Sequence, residues 1–207
     1  MKILEPKIFK AIEYNPTDSI KENNYNNIIF KNPIKITEIE DKTIDSCIFN
    51  GIDFNNIELK NIELIDVIFE NCDLSNKNLN NCFLQRVKFI NCKMIGVTFI
   101  NSTIKDTKFE SCSAKYINFA GARISKMIIE ESDFSEMCFQ ETDIKNLELN
   151  DVNLYKSEII KTSLKDIDIS TCKIDNIIID SESTKGLIID RYQSIDLIGM
   201  LGVKIKD

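Results

Sequence analysis

Seven cysteines are the side chains of this sequence with the clearest capacity for metal binding or redox chemistry. Three of them, Cys72, Cys92 and Cys112, are spaced twenty residues apart, which would align their thiols if the chain repeats at that interval. A metal or redox site usually adds histidines or a Cys-x-x-Cys pair, and the sequence has neither. We therefore expect the thiols to pack as small hydrophobic groups in a reducing, cytosolic protein.

The remaining residues give little evidence of a catalytic site. The sequence has no histidine, which excludes His-based triads and histidine-ligated metals. It also lacks the GxGxxG and GxxxxGK[ST] motifs of nucleotide-binding proteins. The sequence thus predicts a protein that is not an enzyme and that needs no metal or cofactor.

One segment concentrates negative charge, and we call it the acidic belt. It contains eight carboxylates against the single Lys145, while the whole chain has a formal net charge of −7. Such a segment repels nucleic acid and attracts a basic protein surface, although many acidic runs are only solvated faces. The belt, predicted to bind a partner, consists of Glu130, Glu131, Asp133, Glu136, Glu141, Asp143, Glu148 and Asp151.

The elements that would position these groups follow from a repeat of five residues. Every fifth position from Ile39 to Ile179 is Leu, Ile, Met or Phe, with Ala114 as the one exception among 29 positions. Helices repeat every 3.6 residues and strands every two, so neither explains the pattern. A fixed internal period predicts a repeat architecture. If each pentapeptide forms one side, four complete a turn of twenty residues, which is a β-solenoid.

A second inward position lies two residues before each large one. It is mostly small or apolar and includes six of the seven cysteines, with Cys138 left on an outward position. Lys77 also falls in this slot, and because burying an amine is costly, we expect local distortion near residues 75–79. Ala114, in a large slot, predicts a narrow or kinked rung.

The triplets Cys72-Asp73-Leu74, Ser132-Asp133-Phe134 and Thr142-Asp143-Ile144 combine a small residue with a large apolar one. In this the chain resembles the pentapeptide-repeat proteins over about 140 residues. The resemblance implies an all-β fold, a right-handed quadrilateral β-helix of about seven coils with a C-terminal capping helix.

The ends of the chain depart from the repeat and give the predicted domain limits. Residues 1–38 would form an N-terminal cap, residues 39–183 the β-helix, and residues 184–207 a cap helix with a dimerisation tail. Asp190 is the expected N-cap of that helix and Gly202 its stop. The first residues have no apolar core of signal-peptide length. The predicted dimerisation residues are Tyr192, Ile195, Leu197, Ile198, Leu201, Val203 and Ile205.

The C-terminal residues resemble one branch of this family in particular. Gly186-Leu187, Tyr192-Gln193 and the run Leu201 to Ile205 resemble the quinolone-resistance (Qnr-type) branch, particularly its Gram-positive chromosomal members. The mid-coil runs Cys112 to Ala114 and Phe119 to Ala122 are similar to that branch too. The resemblance implies a C-terminal homodimer with DNA-like width and charge that binds type II topoisomerases.

In that branch some members protect gyrase from quinolones and others inhibit it. The present chain lacks the frame-breaking loops that matter for protection in Gram-negative members. The missing loops bear on protection more than on binding. The resemblance implies a DNA mimic that binds DNA gyrase or topoisomerase IV and can protect it from fluoroquinolones, and we expect it to contact neither nucleic acid nor a membrane itself. A generic β-helical interaction scaffold with another partner is the alternative.

Overall fold

In a computed structural model of the chain, residues 1–14, 25–31 and 35–199 are described, and they form a β-solenoid of about eight turns. One short helix, α1 (Gln193–Ile198), follows the last turn. The strands are β1 (Ile12–Glu13), β2 (Tyr25–Asn26), β3 (Ile28–Lys31), β4 (Glu38–Glu40), β5 (Thr43–Asp45), β6 (Ile48–Asn50), β7 (Glu58–Lys60), β8 (Glu63–Glu70), β9 (Phe83–Ile90), β10 (Thr103–Glu110), β11 (Arg123–Glu130), β12 (Cys138–Gln140), β13 (Asp143–Ile144), β14 (Leu147–Asn150), β15 (Glu158–Ile160) and β16 (Ile178–Ile179).

The predicted turn of twenty residues is confirmed by the strand register. β8, β9, β10 and β11 pair in parallel, and Leu64 lies opposite Leu84, Leu84 opposite Ile104, and Ile104 opposite Ile124. Single parallel bridges such as that between Asp73 and Lys93 hold the same spacing on the other sides. Each outward residue therefore has its neighbours twenty positions away, at roughly the 4.8 Å strand spacing.

The large residues of the repeat fill the interior. Phe49, Phe69, Phe89 and Phe109 form a stack with ring centroids 4.9 to 5.0 Å apart and planes within 10° of each other. Each of these rings is at most 1% exposed. Because aromatic side chains bury a large area each, this column accounts for much of the apolar core.

The second inward position has a hydrogen-bonding role that the sequence did not predict. Ser102 Oγ donates to the carbonyl of Leu79 at 2.8 Å, and Thr142 Oγ1 donates to that of Phe119 at 3.0 Å. Cys112 Sγ makes the equivalent contact with the carbonyl of Phe89 at 3.4 Å. In each case the acceptor lies twenty-three residues earlier, so a small side chain with a donor satisfies a carbonyl of the preceding turn.

The distortion predicted at Lys77 and the kink predicted at Ala114 are absent from the structure. Lys77 Nζ donates to the carbonyls of Asn55 and Ile57 at 3.3 and 3.2 Å, so the amine reaches partners at the surface while its stem enters the wall. Bridges on both sides of each residue keep the twenty-residue register. At Ala114 the rung is not kinked.

The solenoid also begins before residue 39. Tyr25 pairs with Ile44, and Phe30 pairs with Phe49, both nineteen residues apart. One residue fewer between Phe30 and Ile39 shifts the frame, which hid this turn from a search for a strict period of five. The extra turn explains why the structure has about eight turns rather than seven.

Two residues after most of the large residues, the backbone forms a tight corner with positive φ. Asn71, Asn81 and Asn91 occupy such corners at φ of 51° to 56°, a region that Asn tolerates better than most residues. Gly121 lies at another corner, with φ of 66°, and a Cβ there would be 2.3 Å from Asn101 Oδ1. Close stacking of corners thus adds to the need for glycine.

Candidate protein interaction surface

The acidic belt encircles the solenoid instead of forming one face. Its 22 residues make slightly more than one turn, so successive carboxylates point to different sides. Glu131, Glu136 and Glu141 are exposed, as are Asp143 and Asp151. The other three belt residues are half-buried.

Half of the belt is already paired within the described residues. Lys108 bridges Glu130 at 2.8 Å, and Lys161 bridges Glu141 at 2.8 Å. Asp133 lies 3.5 Å from Lys115 Nζ, and Glu148 contacts the amino group of Met1. The belt therefore presents fewer free charges to a partner than its composition indicates.

The strand register also creates a lengthwise acidic surface, which we call the acidic stripe. Outward residues at three neighbouring positions of each turn line up along one edge of the solenoid, and between residues 50 and 173 they include eight carboxylates against Lys93 and Lys173. Four of these carboxylates belong to the belt and four do not. The stripe consists of Asp53, Glu70, Asp73, Glu110, Glu130, Glu131, Asp133 and Asp151.

Sequence reasoning missed Asp53, Glu70, Asp73 and Glu110 because it searched for charge along the chain and not across turns. The signal was present, since sorting outward residues at intervals of twenty brings these positions together. Lys93 pairs with Asp73 at 3.1 Å, and Lys108 from the adjacent column reaches Glu110 at 2.8 Å. With Glu130 and Asp133, which Lys108 and Lys115 reach, four of the eight stripe carboxylates are paired. The other four, Asp53, Glu70, Glu131 and Asp151, have no ion pair among the described residues.

The cysteines are aligned as predicted but are poorly suited to reaction. All seven thiols are free, and only Cys138 is even partly exposed. Burial raises the pKa of Cys47 to about 11 and also raises the pKa of Cys82 and Cys172. Since the thiolate is the reactive form, the raised pKa keeps these three thiols protonated at neutral pH. A hydrogen bond with Cys92 lowers the pKa of Cys72, whose thiol is buried. Within the described residues, no three Cys, Asp or Glu side chains are grouped to hold a metal ion.

The C-terminal helix closes the last turn mainly through Gln193. This side chain is 6% exposed, and its Nε2 donates to the carbonyls of Ile169 and Cys172, both at 2.8 Å. Asp190 Oδ1 accepts the backbone N–H groups of Tyr192 and Gln193 in the turn before the helix. The N-cap is Tyr192, which makes no side-chain capping bond, so the predicted N-cap Asp190 lies two residues too early.

The predicted dimerisation residues are divided between the core and the surface. Leu197 packs against the core, and Ile198 is half-buried. Tyr192 and Ile195 are 64% and 55% exposed. Gly202, Leu201, Val203 and Ile205 lie outside the described residues. No helix in the described ranges is long and apolar enough to cross a membrane.

The first seven residues, which we call the N-terminal strap, run along the side of the solenoid. The Leu4 N–H donates to Asp106 Oδ1 at 3.0 Å, and the Lys7 N–H donates to Asp66 Oδ1 at 2.8 Å. Glu5 forms an ion pair with Lys88. The strap thus lies across successive turns, whereas a cap would cover the end of the coil.

Comparison with known proteins gives a family and several similar structures. The family model of the pentapeptide repeat region matches residues 37–119 and 62–137. No curated protein matches the chain. Full-length QnrB1, a plasmid-mediated fluoroquinolone resistance protein, is 18% identical, with 87% of this chain and 97% of that chain covered and a TM-score of 0.42.

Two cyanobacterial structures are also similar. HetL from Nostoc sp. strain PCC 7120, a pentapeptide repeat protein involved in heterocyst differentiation regulation, is 12% identical, with 80% of this chain and 82% of that chain covered and a TM-score of 0.47. The pentapeptide repeat protein Rfr23 from Cyanothece 51142 is 12% identical, with 57% and 91% covered and a TM-score of 0.32. The match to the family model and the twenty-residue register are the evidence that this is a pentapeptide-repeat protein.

Proposed function

Since this chain is a pentapeptide-repeat protein, we propose that it binds a type II topoisomerase, DNA gyrase or topoisomerase IV, in place of DNA. The observation that carries the proposal is the acidic stripe. A regular row of carboxylates on a narrow solenoid offers the partner a surface with the charge sign and linear form of a DNA strand.

The spacing of the stripe supports this comparison. Asp53 and Asp151 are about five turns apart, or about 24 Å at the usual strand spacing. Eight carboxylates over that length give one carboxylate about every 3 Å, close to the 3.4 Å between phosphates along one DNA strand. Lysines pair with four of them, so the unpaired carboxylates are about twice as far apart. A basic DNA-binding channel would attract such a surface at long range and select it by shape at contact.

The exposed part of the C-terminal end supports a homodimer. Tyr192 and Ile195 place two large apolar side chains at the end of the solenoid, where two-fold pairing would bury them. Eight turns give about 38 Å per subunit, so such a dimer would extend the charged rod to roughly twice that length. Replacing Ile195→Glu should shift the molar mass measured by light scattering from dimer to monomer.

The primary test is titration of the purified protein into a gyrase supercoiling assay with and without a fluoroquinolone. Rescue of supercoiling in the drug's presence supports a protective role, and inhibition without rescue supports a regulator. If neither gyrase nor topoisomerase IV responds at micromolar protein, the DNA-mimic proposal fails and the alternative of a scaffold for another partner replaces it.

Two matched triple variants test whether the stripe makes the contact. Asp53→Asn, Glu131→Gln and Asp151→Asn remove three exposed stripe charges. Glu136→Gln, Glu141→Gln and Asp143→Asn remove three exposed charges of the belt that lie off the stripe. We expect the first variant to weaken topoisomerase binding clearly more than the second. Equal losses would assign binding to net charge or to the whole belt.

A further inference from the structure

The N-terminal strap is bound through its backbone by two carboxylates of one column. Asp66 and Asp106 lie at the same corner position two turns apart and are 5% and 2% exposed. Each accepts one strap N–H group, from Lys7 and Leu4 respectively. Ser46, in the same column, donates its hydroxyl to the carbonyl of Lys7 at 3.1 Å.

The spacing of these acceptors matches an extended peptide that crosses the turns. Two turns cover about 9.6 Å at the strand spacing, and three residues of extended chain cover about 10 Å. The N–H groups of Leu4 and Lys7 are three residues apart and meet carboxylates two turns apart. A peptide in this position is therefore bound at two points through its backbone N–H groups.

Arg86 holds the carboxylate of Asp66 in place. It lies between Asp66 and Asp106 in the column, and its Nε and Nη2 bond both oxygens of Asp66 at 2.5 and 2.6 Å. Burial acts to raise the pKa of Asp66, but the bonds from Arg86 and from the Lys7 N–H outweigh it, so the pKa is lowered. Arg86 thus holds Asp66 in one orientation through both carboxylate oxygens.

An aliphatic contact and an ion pair add side-chain recognition. Ile3 is only 6% exposed. Ile128, at an outward position of β11, is also buried, at 7% exposed. Glu5 pairs with Lys88 of β9. Leu4, which follows Ile3, is 51% exposed, and only its backbone N–H bonds to the solenoid.

The face beneath the strap is complete without it. β8 to β11 pair with one another on both sides of the corner column, which itself takes no part in the pairing, and the strap residues 1–7 belong to no strand. Beyond the strap the chain is exposed again, with Phe9 at 73%. The strap therefore adds a layer to a finished surface.

From this geometry we infer that the corner column of Asp66, Arg86 and Asp106 is a binding track for extended peptides, and that the strap is its exchangeable ligand in cis. The recognised peptide has two backbone N–H groups three residues apart, an aliphatic residue before the first, and an acidic residue after it. The inference concerns the corner column next to the acidic stripe and does not depend on topoisomerase binding.

The test uses the full chain with a protease site inserted between the exposed residues Phe9 and Lys10. After cleavage, a fluorescent synthetic peptide of residues 1–9 is added in excess, and its anisotropy is followed while circular dichroism monitors the solenoid. We expect the solenoid to remain folded and the labelled peptide to replace the cleaved strap with a measurable Kd. A solenoid that unfolds on cleavage, or a strap that does not exchange, overturns the inference.

Variants of the peptide locate the contact without altering the protein. N-methylation at Leu4 removes the donor to Asp106, whereas N-methylation at Glu5 changes a backbone N–H that donates no hydrogen bond among the described residues. Loss of a hydrogen bond to a buried charge should weaken binding roughly tenfold to a hundredfold. The Glu5 analogue should bind much more tightly than the Leu4 analogue, and equal affinities would contradict the assigned contact.

A matched pair of protein variants provides the reciprocal measurement. Asp106→Ala removes the acceptor, and Asp166→Ala removes an exposed carboxylate of the same column that forms no hydrogen bond or ion pair with a strap residue among the described residues. We expect only the first to raise the Kd of the peptide. If Asp106→Ala disturbs folding, Asp106→Asn keeps the shape and should give a smaller loss in the same direction; unchanged affinity in both would refute the track.

Discussion

Replacing Phe89→Ala should be among the most costly single changes in this protein. The Phe89 ring is fully buried and stacks on Phe69 at 5.0 Å and on Phe109 at 4.9 Å. Truncating a buried Phe to Ala usually costs about 3–5 kcal/mol. Each aromatic pair contributes about 0.5–1.5 kcal/mol beyond the buried area. Because two stacked pairs are lost at once, we expect a loss near the upper end, about 4–5 kcal/mol.

Urea unfolding followed by circular dichroism, at one protein concentration, measures this cost. Phe89→Leu retains most of the apolar contact and loses the stacking, so it should cost about 1–2 kcal/mol. Phe9→Ala, at an exposed ring, should cost close to nothing. Because each turn contacts only its neighbours, Phe89→Ala should also lower the slope m as the two halves unfold separately. A cost for Phe89→Ala no larger than that of Phe89→Leu would refute the role of the stack.

Three further outcomes follow from the packing and the charges. Gln193→Ala leaves two buried carbonyls of the last turn without their donor and should lower the free energy of unfolding by about 1–3 kcal/mol, measured by urea titration. Gly121→Ala forces a Cβ against Asn101 at positive φ, so its loss in thermal stability should exceed that of Gly51→Ala, where a Cβ meets nothing within 4 Å. In the folded protein the pKa of Asp66 is lowered from its unfolded value near 3.8, so the ionised carboxylate stabilises the fold at a pH above that value. This contribution to the free energy of unfolding is lost as the pH falls through the folded pKa. Asp66→Asn should therefore flatten the pH dependence of the free energy of unfolding below about pH 4.

The interior of the solenoid was predictable because its determinant is periodic. Burial of Leu64, Leu84 and Ile104 follows from one rule applied at every turn, and the register follows from the same rule. The nineteen-residue spacing of Tyr25 and Ile44 breaks the period, so the first turn was missed. Distortion was predicted at Lys77 on the assumption that the whole side chain is buried. In the structure only the aliphatic part of the side chain enters the solenoid wall, and the amine stays at the surface.

Surface features were harder to predict because they depend on residues from distant turns. The strap is held by backbone donors, and the bond from Leu4 to Asp106 joins positions 102 residues apart. No composition or local pattern marks such a contact. The belt residues Glu136 and Glu131 are close in sequence but lie on different sides of the coil. Their role in partner binding stays a prediction.

The uniform twenty-residue register has a consequence for how the length of such a protein can change. Removing one complete turn, for example residues 93–112, would join Cys92 to Ser113 and leave every remaining residue at its former angle around the axis. In the gene this is a unit of sixty nucleotides, so unequal recombination between repeats could shorten or lengthen the rod by about 4.8 Å per turn. Charge columns would stay aligned through each step. The protein is in this sense a molecular ruler whose length can evolve separately from the pattern on its sides.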